Sequence, residues 1–221
     1  MKIYFSLLFL IIFSCQQFIK NSIKENSYNI ELPYYNEPTF TPIWLDKSDS
    51  KINDIHSIKT FNFQNQDGKW ISQNDLEGKI YIANFFFTSC STVCPKMATN
   101  LLKVQKEFSD NDKVKILSHT VMPWLDDQKR LKEYGNINNV DSRFWHLLTG
   151  QKDKIYKIAR ESYFADEGFG KSVTKLTDFI HTENFFLIDN KNKIRAIYNG
   201  TLPLETSRMI EDIKSLLDNI K

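Results

Sequence analysis

An α/β domain is what this sequence predicts, built on a central mixed β-sheet flanked by helices and extended by an N-terminal hairpin. Three observations carry that expectation. Ile80 to Phe87 is almost continuously apolar and β-rich, which suits a central strand covered on both faces. Between there and Arg160, β-type runs alternate with segments of helical character, giving a β-α-β half. Beyond residue 180, two β-type runs flank Asn190-Lys191-Asn192 and a helical segment follows, giving a ββα half.

Taken in order, Leu32-Pro33-Tyr34-Tyr35 and Thr39 to Leu45 hold prolines and aromatics and read as an extended arm packed on the domain. Ile58 to Phe63 and Trp70-Ile71 read as a hairpin with its turn at Asp67-Gly68, because such a turn requires positive φ. Pro95 opens a helix to about Phe108, since a missing N–H costs nothing in the first turn. A strand at Val114 to Val121, a helix at Asp126 to Tyr134, a strand at Phe144 to Leu148 and a helix at Lys152 to Arg160 follow. Glu161 to Ile180 is long for a connection in a compact domain and reads as a lid. Asn184 to Asp189 and Lys193 to Tyr198 form the second hairpin, and Glu205 to Ile220 the last helix. A cysteine pair between central strand and first helix, in a βαβ half followed by a ββα half, is the layout of a thioredoxin-like fold.

The chain has 221 residues, 41% hydrophobic, enough for one ordinary core. Its 29 basic and 27 acidic side chains leave a net charge of +2, and no basic cluster interleaves with aromatics. A nucleic-acid groove is therefore not expected. Lys2, the apolar run Ile3 to Phe13 and Ser14 before Cys15 read as an export signal, too short to span a bilayer. Ile12-Phe13-Ser14-Cys15 resembles a bacterial lipobox, which implies lipidation at Cys15 and an extracytoplasmic domain anchored in the bacterial cell envelope; an ordinary secretory peptide with a bystander cysteine is the other reading. The division expected is a signal peptide over residues 1–15, a flexible tether and extended arm over 16–50, and the thioredoxin-like domain over 51–221.

Cys90 and Cys94 stand four positions apart at the mouth of a helix, on one face and one turn from each other. The helix terminus favours thiolate, so at least one thiol is expected to be acidified. A disulfide closing so small a loop would constrain little, which favours an active site over a structural staple. With His181 the pair can close around a soft metal ion, Cu(I) or Cu(II) before zinc. A redox pair is the open alternative, although three residues intervene where thioredoxin-type enzymes usually have two, and His181 stands where they carry a cis-proline. His119, at the carboxyl end of its strand, stands second as a nitrogen ligand, against the ordinary reading of a hydrogen-bonded strand-end histidine. His146, Met97 and Met122 read as core filling, and His56 has no motif around it.

Cys90-Ser91-Thr92-Val93-Cys94-Pro95, together with His181-Thr182 and the hairpin that follows, resembles the Sco/SenC family of thioredoxin-like copper proteins. The resemblance covers roughly Ile58 to the C-terminus. It implies that Cys90, Cys94 and His181 bind copper, and that the protein is a membrane-anchored metallochaperone delivering it to the dinuclear copper site of cytochrome c oxidase subunit II. The alternative it implies is a thiol-disulfide oxidoreductase keeping the oxidase cysteines reduced; a copper-dependent redox sensor is a third class. Either use of the pair requires an extracytoplasmic thiol reductant. The sequence departs from the family where Ile180 precedes the histidine and where Val121-Met122-Pro123 follows the strand, each a place the family often carries Asp.

Overall fold

The computed structural model describes residues 31–165 and 182–220. Seven strands form one sheet in the order β4-β3-β7-β6-β5-β8-β9. The strands are β3 (Asn62–Asn65), β4 (Trp70–Ser72), β5 (Ile80–Phe86), β6 (Val114–Thr120), β7 (Trp145–Thr149), β8 (Asn184–Ile188) and β9 (Ile194–Asn199). A separate two-stranded ladder joins β1 (Tyr34–Tyr35) to β2 (Pro42–Ile43). Among the described residues the α-helices are α1 (Val93–Phe108), α2 (Gln128–Ile137), α3 (Lys152–Glu161) and α4 (Pro203–Asp218).

β5, β6 and β7 run parallel, while β8 is antiparallel to β5 and β9 to β8. Every residue of β5 is buried, which its unbroken apolar run requires for a strand covered on both faces. Successive side chains of each central strand point to opposite layers. Ile80, Ile82 and Phe86 join Ile116, Leu101, Val104, Leu131 and Ile213 under α1, α2 and α4. Tyr81, Ala83 and Phe85 join Leu117, Phe186 and Ile155 under α3.

The hairpin β3–β4 turns at Gly68, whose φ of +77° is the conformation glycine accepts most easily. It enters the sheet through only two antiparallel pairs, Gln64↔Thr149 and Asn65↔Leu148. The buried Gln66 then extends the ladder with its side chain: Nε2 donates to Trp145 O at 2.8 Å and Oε1 accepts from Leu147 N at 2.8 Å. An amide side chain thus stands in for a peptide group where the strand pairing ends.

The arm from Leu32 onward lies in the same compact unit as the sheet. Arg195 on β9 fixes it. Its guanidinium donates to Pro33 O at 3.0 Å and to Leu32 O, pairs with Asp189 Oδ2 at 3.1 Å, and stacks 3.9 Å from the Tyr34 ring centroid. Asp189 also receives Lys191 N and Lys193 N at 2.9 Å each, so the β8–β9 turn and the arm share one carboxylate. Removing one partner of a buried pair leaves the other charge uncompensated. Arg195→Ala is therefore expected to cost about 3 kcal/mol in urea unfolding, and to open residues 32–45 to protease while β5 amides keep their hydrogen-exchange protection.

Candidate metal centre

The parallel register brings the exits of β5 and β6 to one rim of the sheet, with Phe86 opposite Thr120. β8 runs the other way, with Ala83 opposite Phe186, so the segment leading into Asn184 begins at the same rim. Sites in open α/β sheets form at such carboxyl ends. The loop that leaves β5 carries Cys90, and α1 begins at Val93, two residues before the expected Pro95. The reason is local. Thr92 makes no side-chain cap, and the Cys90 sulfur takes that place, accepting the Cys94 N–H at 3.4 Å.

Both cysteines are free thiols, Cys90 half-buried and Cys94 buried. Burial pushes the Cys90 thiol up, but the backbone N–H groups of Cys94, Thr92 and Val93 and the Cys94 thiol outweigh it and bring it down to about 7. Burial pushes Cys94 up to about 12, with its neighbour Cys90 adding to the rise. The helix mouth thus acidifies one thiol only, because Cys94 lies inside the first turn, packed among Met97, Ala98 and Phe86. Tyr134 on α2 lies beside the pair: burial first, then the charges of Cys94 and Cys90, raise its phenol.

Asp126 secures this rim, and its role was not read from the sequence. Its carboxylate, 1% exposed, accepts Thr88 N at 3.0 Å, Thr88 Oγ1 at 2.5 Å and Thr120 Oγ1 at 2.5 Å. Arg130 lies 3.6 Å from it and donates to Thr88 Oγ1 at 2.7 Å. The cysteine loop and the turn after β6 are thereby one unit. That turn presents Trp124 and Leu125, 55% and 44% exposed, and the Lys152 ammonium lies 4.9 Å from the Trp124 ring centroid. A signal existed in Asp126-Asp127 after the strand, since Asp127 caps α2 by accepting Arg130 N at 2.8 Å. Nothing in the pattern said that the preceding aspartate turns inward.

His119 is not part of this rim. Along β6 the even positions face α1, as Ile116 and the Ser118–Asn84 hydrogen bond do, so His119 falls on the other layer. Its ring stacks on Phe85 at 5.3 Å and meets Phe61, Phe63 and Tyr163. Among the described residues neither of its ring nitrogens has a partner, and burial pushes it down to about 3. Met97 is core packing at 1% exposure, and Met122 packs against the α3 layer. His146 has Asn65 Nδ2 3.3 Å from Nδ1, and His56 has Ser162 O 2.9 Å from Nε2. His181 lies outside the described residues, as do Cys15 and residues 166–180 of the expected lid. Thr182, the next residue after His181, is buried, and its hydroxyl accepts Asn184 N at 3.2 Å. Among the described residues no three His, Cys, Asp or Glu side chains gather as a metal site, and no helix is long and apolar enough to cross a membrane.

The SCO1/SenC family profile matches residues 50–218. This chain belongs to the SCO1/SenC family. The SCO1 protein homolog of Bacillus subtilis strain 168 is 33% identical over 166 residues, which span 72% of this chain and 82% of that protein. The crystal structure of a SCO1/SenC family lipoprotein from Bacillus anthracis matches at 33% identity and a TM-score of 0.63, over 73% of this chain and 95% of that one. BsSco, described as a member of the Sco family of cytochrome c oxidase assembly proteins and carrying a disulfide switch, matches at 32% and 0.61, over 73% and 93%. Copper-bound ScoI of Bradyrhizobium japonicum shares the fold at 24% identity and a TM-score of 0.55, over 72% and 99%. The mixed sheet flanked by helices is therefore the thioredoxin-like Sco architecture.

Two measurements follow from the geometry of this Sco domain. The folded His119 binds its proton at about 3 and an unfolded histidine at about 6.5, so stability is complete above pH 6.5 and falls as pH drops toward 3. His119→Phe should reduce the stability lost between pH 7 and pH 4 by roughly 3 kcal/mol, read by urea titration at both values. Asp126→Asn removes acceptor capacity facing two hydroxyls and an N–H. It should lower stability by about 2 kcal/mol and speed hydrogen exchange at the Thr88 amide; an unchanged Thr88 amide would count against the clamp.

Proposed function

We propose that Cys90, Cys94 and His181 hold a copper ion and that this chain delivers it to the dinuclear copper site of cytochrome c oxidase subunit II. The observation that carries the reading is the unlike pair of free thiols at the mouth of α1. Cys90 is acidic and accessible, so it is the sulfur that meets a cation or an incoming thiolate first. Cys94 is one turn away and shielded, so it closes the chelate from within. Two sulfurs suit Cu(I), and an imidazole lets the same set accept Cu(II). Loading releases protons, because both sulfurs bind as thiolates.

Support for His181 comes from the strand register. β8 starts at the rim where β5 ends, and in the sequence His181 precedes the first residue of β8 by three positions. Copper is the cargo, and its release needs an acceptor whose thiolates outcompete the pair at Cys90. Asp126 prepares the loop for that exchange by holding Thr88 in place, two residues before Cys90.

The same unlike thiols favour a second reading, reduction of the oxidase cysteines. Cys90 would attack the partner disulfide as thiolate, and Cys94 would resolve the mixed disulfide, giving two electrons to the partner and leaving a Cys90–Cys94 disulfide. An extracytoplasmic dithiol must then return the pair to its reduced form. In both readings the domain works outside the cytoplasm, attached to the envelope through lipid at Cys15 by a tether; the lipoprotein description of the Bacillus anthracis relative supports that placement.

His181→Ala separates the two. In the copper-delivery reading the reduced variant loses bound copper on passage through a desalting column, while the parent keeps about one ion per chain. Retained copper together with unimpaired insulin disulfide reduction would instead favour the reductase.

A further inference from the structure

Outside the thiol rim, a cavity of about 530 Å³ opens between the start of β3 and α3. Its floor is apolar: Phe61, Phe63 and Ile158 are 9%, 2% and 5% exposed, and the two phenyl rings stack with centroids 5.6 Å apart. Its mouth is cationic, with Lys59, Lys154 and Lys157. Lys59 is paired with Glu161 at 2.6 Å. Lys154 and Lys157 are exposed, one turn apart on α3, and among the described residues neither has an ion-pair partner. Like charges at this spacing repel, and an anion between them removes the repulsion.

A second feature lies beneath the floor. His119 packs edge-on against both floor rings, at 5.9 Å from Phe61 and 5.6 Å from Phe63, and among the described residues its two ring nitrogens are without partners. A fully buried imidazole left in this state is costly, so the layer beneath the floor is held by packing and not by polar satisfaction.

We propose that this cavity binds an amphiphilic anion, a lipid phosphate or fatty carboxylate, with its acid group between Lys154 and Lys157 and its hydrocarbon on Phe61, Phe63 and Ile158. Inorganic phosphate would use the ammonium groups and leave the aromatic floor wet. A neutral hydrocarbon would cover the floor and leave the lysines unpaired. Only a ligand with both parts uses both surfaces, and the volume falls within the ~300–1,000 Å³ of small-molecule sites. The inference is independent of copper, since the cavity lies on the α3 layer and the cysteines on the other.

The test is a titration of the full chain, reduced and copper-free, with monomeric dodecyl phosphate, followed by calorimetry and by NMR of labelled isoleucine and phenylalanine. One equivalent should bind, with shifts at Ile158, Phe61 and Phe63. Lys154→Ala combined with Lys157→Ala should weaken binding tenfold or more, and neither inorganic phosphate nor dodecyl maltoside should reproduce it. The proposal is overturned if the double variant binds as tightly as the parent, if inorganic phosphate matches dodecyl phosphate, or if the shifts fall elsewhere. Competition by phosphatidylglycerol vesicles, and not by phosphatidylcholine, would identify a membrane lipid as the source; no competition by either would identify a free amphiphile.

Discussion

The buried carboxylate of Asp126 ties together the two parallel strand exits on which the site is built. β5 and β6 leave the sheet side by side, and each exit must turn away without stranding its polar groups. Asp126 receives Thr88 from one and Thr120 from the other, and Arg130 compensates its charge from the solvent side. The cysteine loop therefore starts from a fixed point. From there the chain curls so that the first N–H groups of α1 face the Cys90 sulfur, and the two thiols become chemically unlike although they are one turn apart.

This arrangement separates the duties of the two faces. The α1 layer ends at the thiols and pairs its buried polar side chains: the Trp145 indole donates to Ser118, Ser118 to Asn84, and the Tyr198 phenol to Asp212. The α3 layer holds no thiol, yet it contains the unpartnered His119 and the cationic cavity above it. Strand alternation keeps these chemistries apart although Ser118 and His119 are neighbours in the chain. A histidine one residue earlier or later on β6 would face the thiol layer.

Much of the fold was legible because each element carries its own local signal. The apolar run of β5 placed the sheet centre, Asp67-Gly68 placed the first hairpin, and the two short β runs around Asn190-Lys191-Asn192 placed the second. Boundaries moved where a side chain replaced a backbone rule. α1 begins before Pro95 because a sulfur takes the place of a capping oxygen, and the β3 edge continues past its last pair because Gln66 mimics a peptide. The Arg195 clamp on the arm was hidden, since its partners Leu32, Pro33 and Asp189 are carbonyls and a carboxylate brought together only by the folded β8–β9 hairpin.

The sequence by itself determined the family, the sheet's central strand and the identity of the thiol pair, because cysteine spacing and apolar runs are local properties that survive without coordinates. Tertiary structure alone decided which cysteine is acidic, which aspartate turns inward and which layer His119 occupies. Each of those depends on burial and on partners far along the chain, from Thr88 to Asp126 and from Phe61 to His119, and no spacing rule encodes such distances.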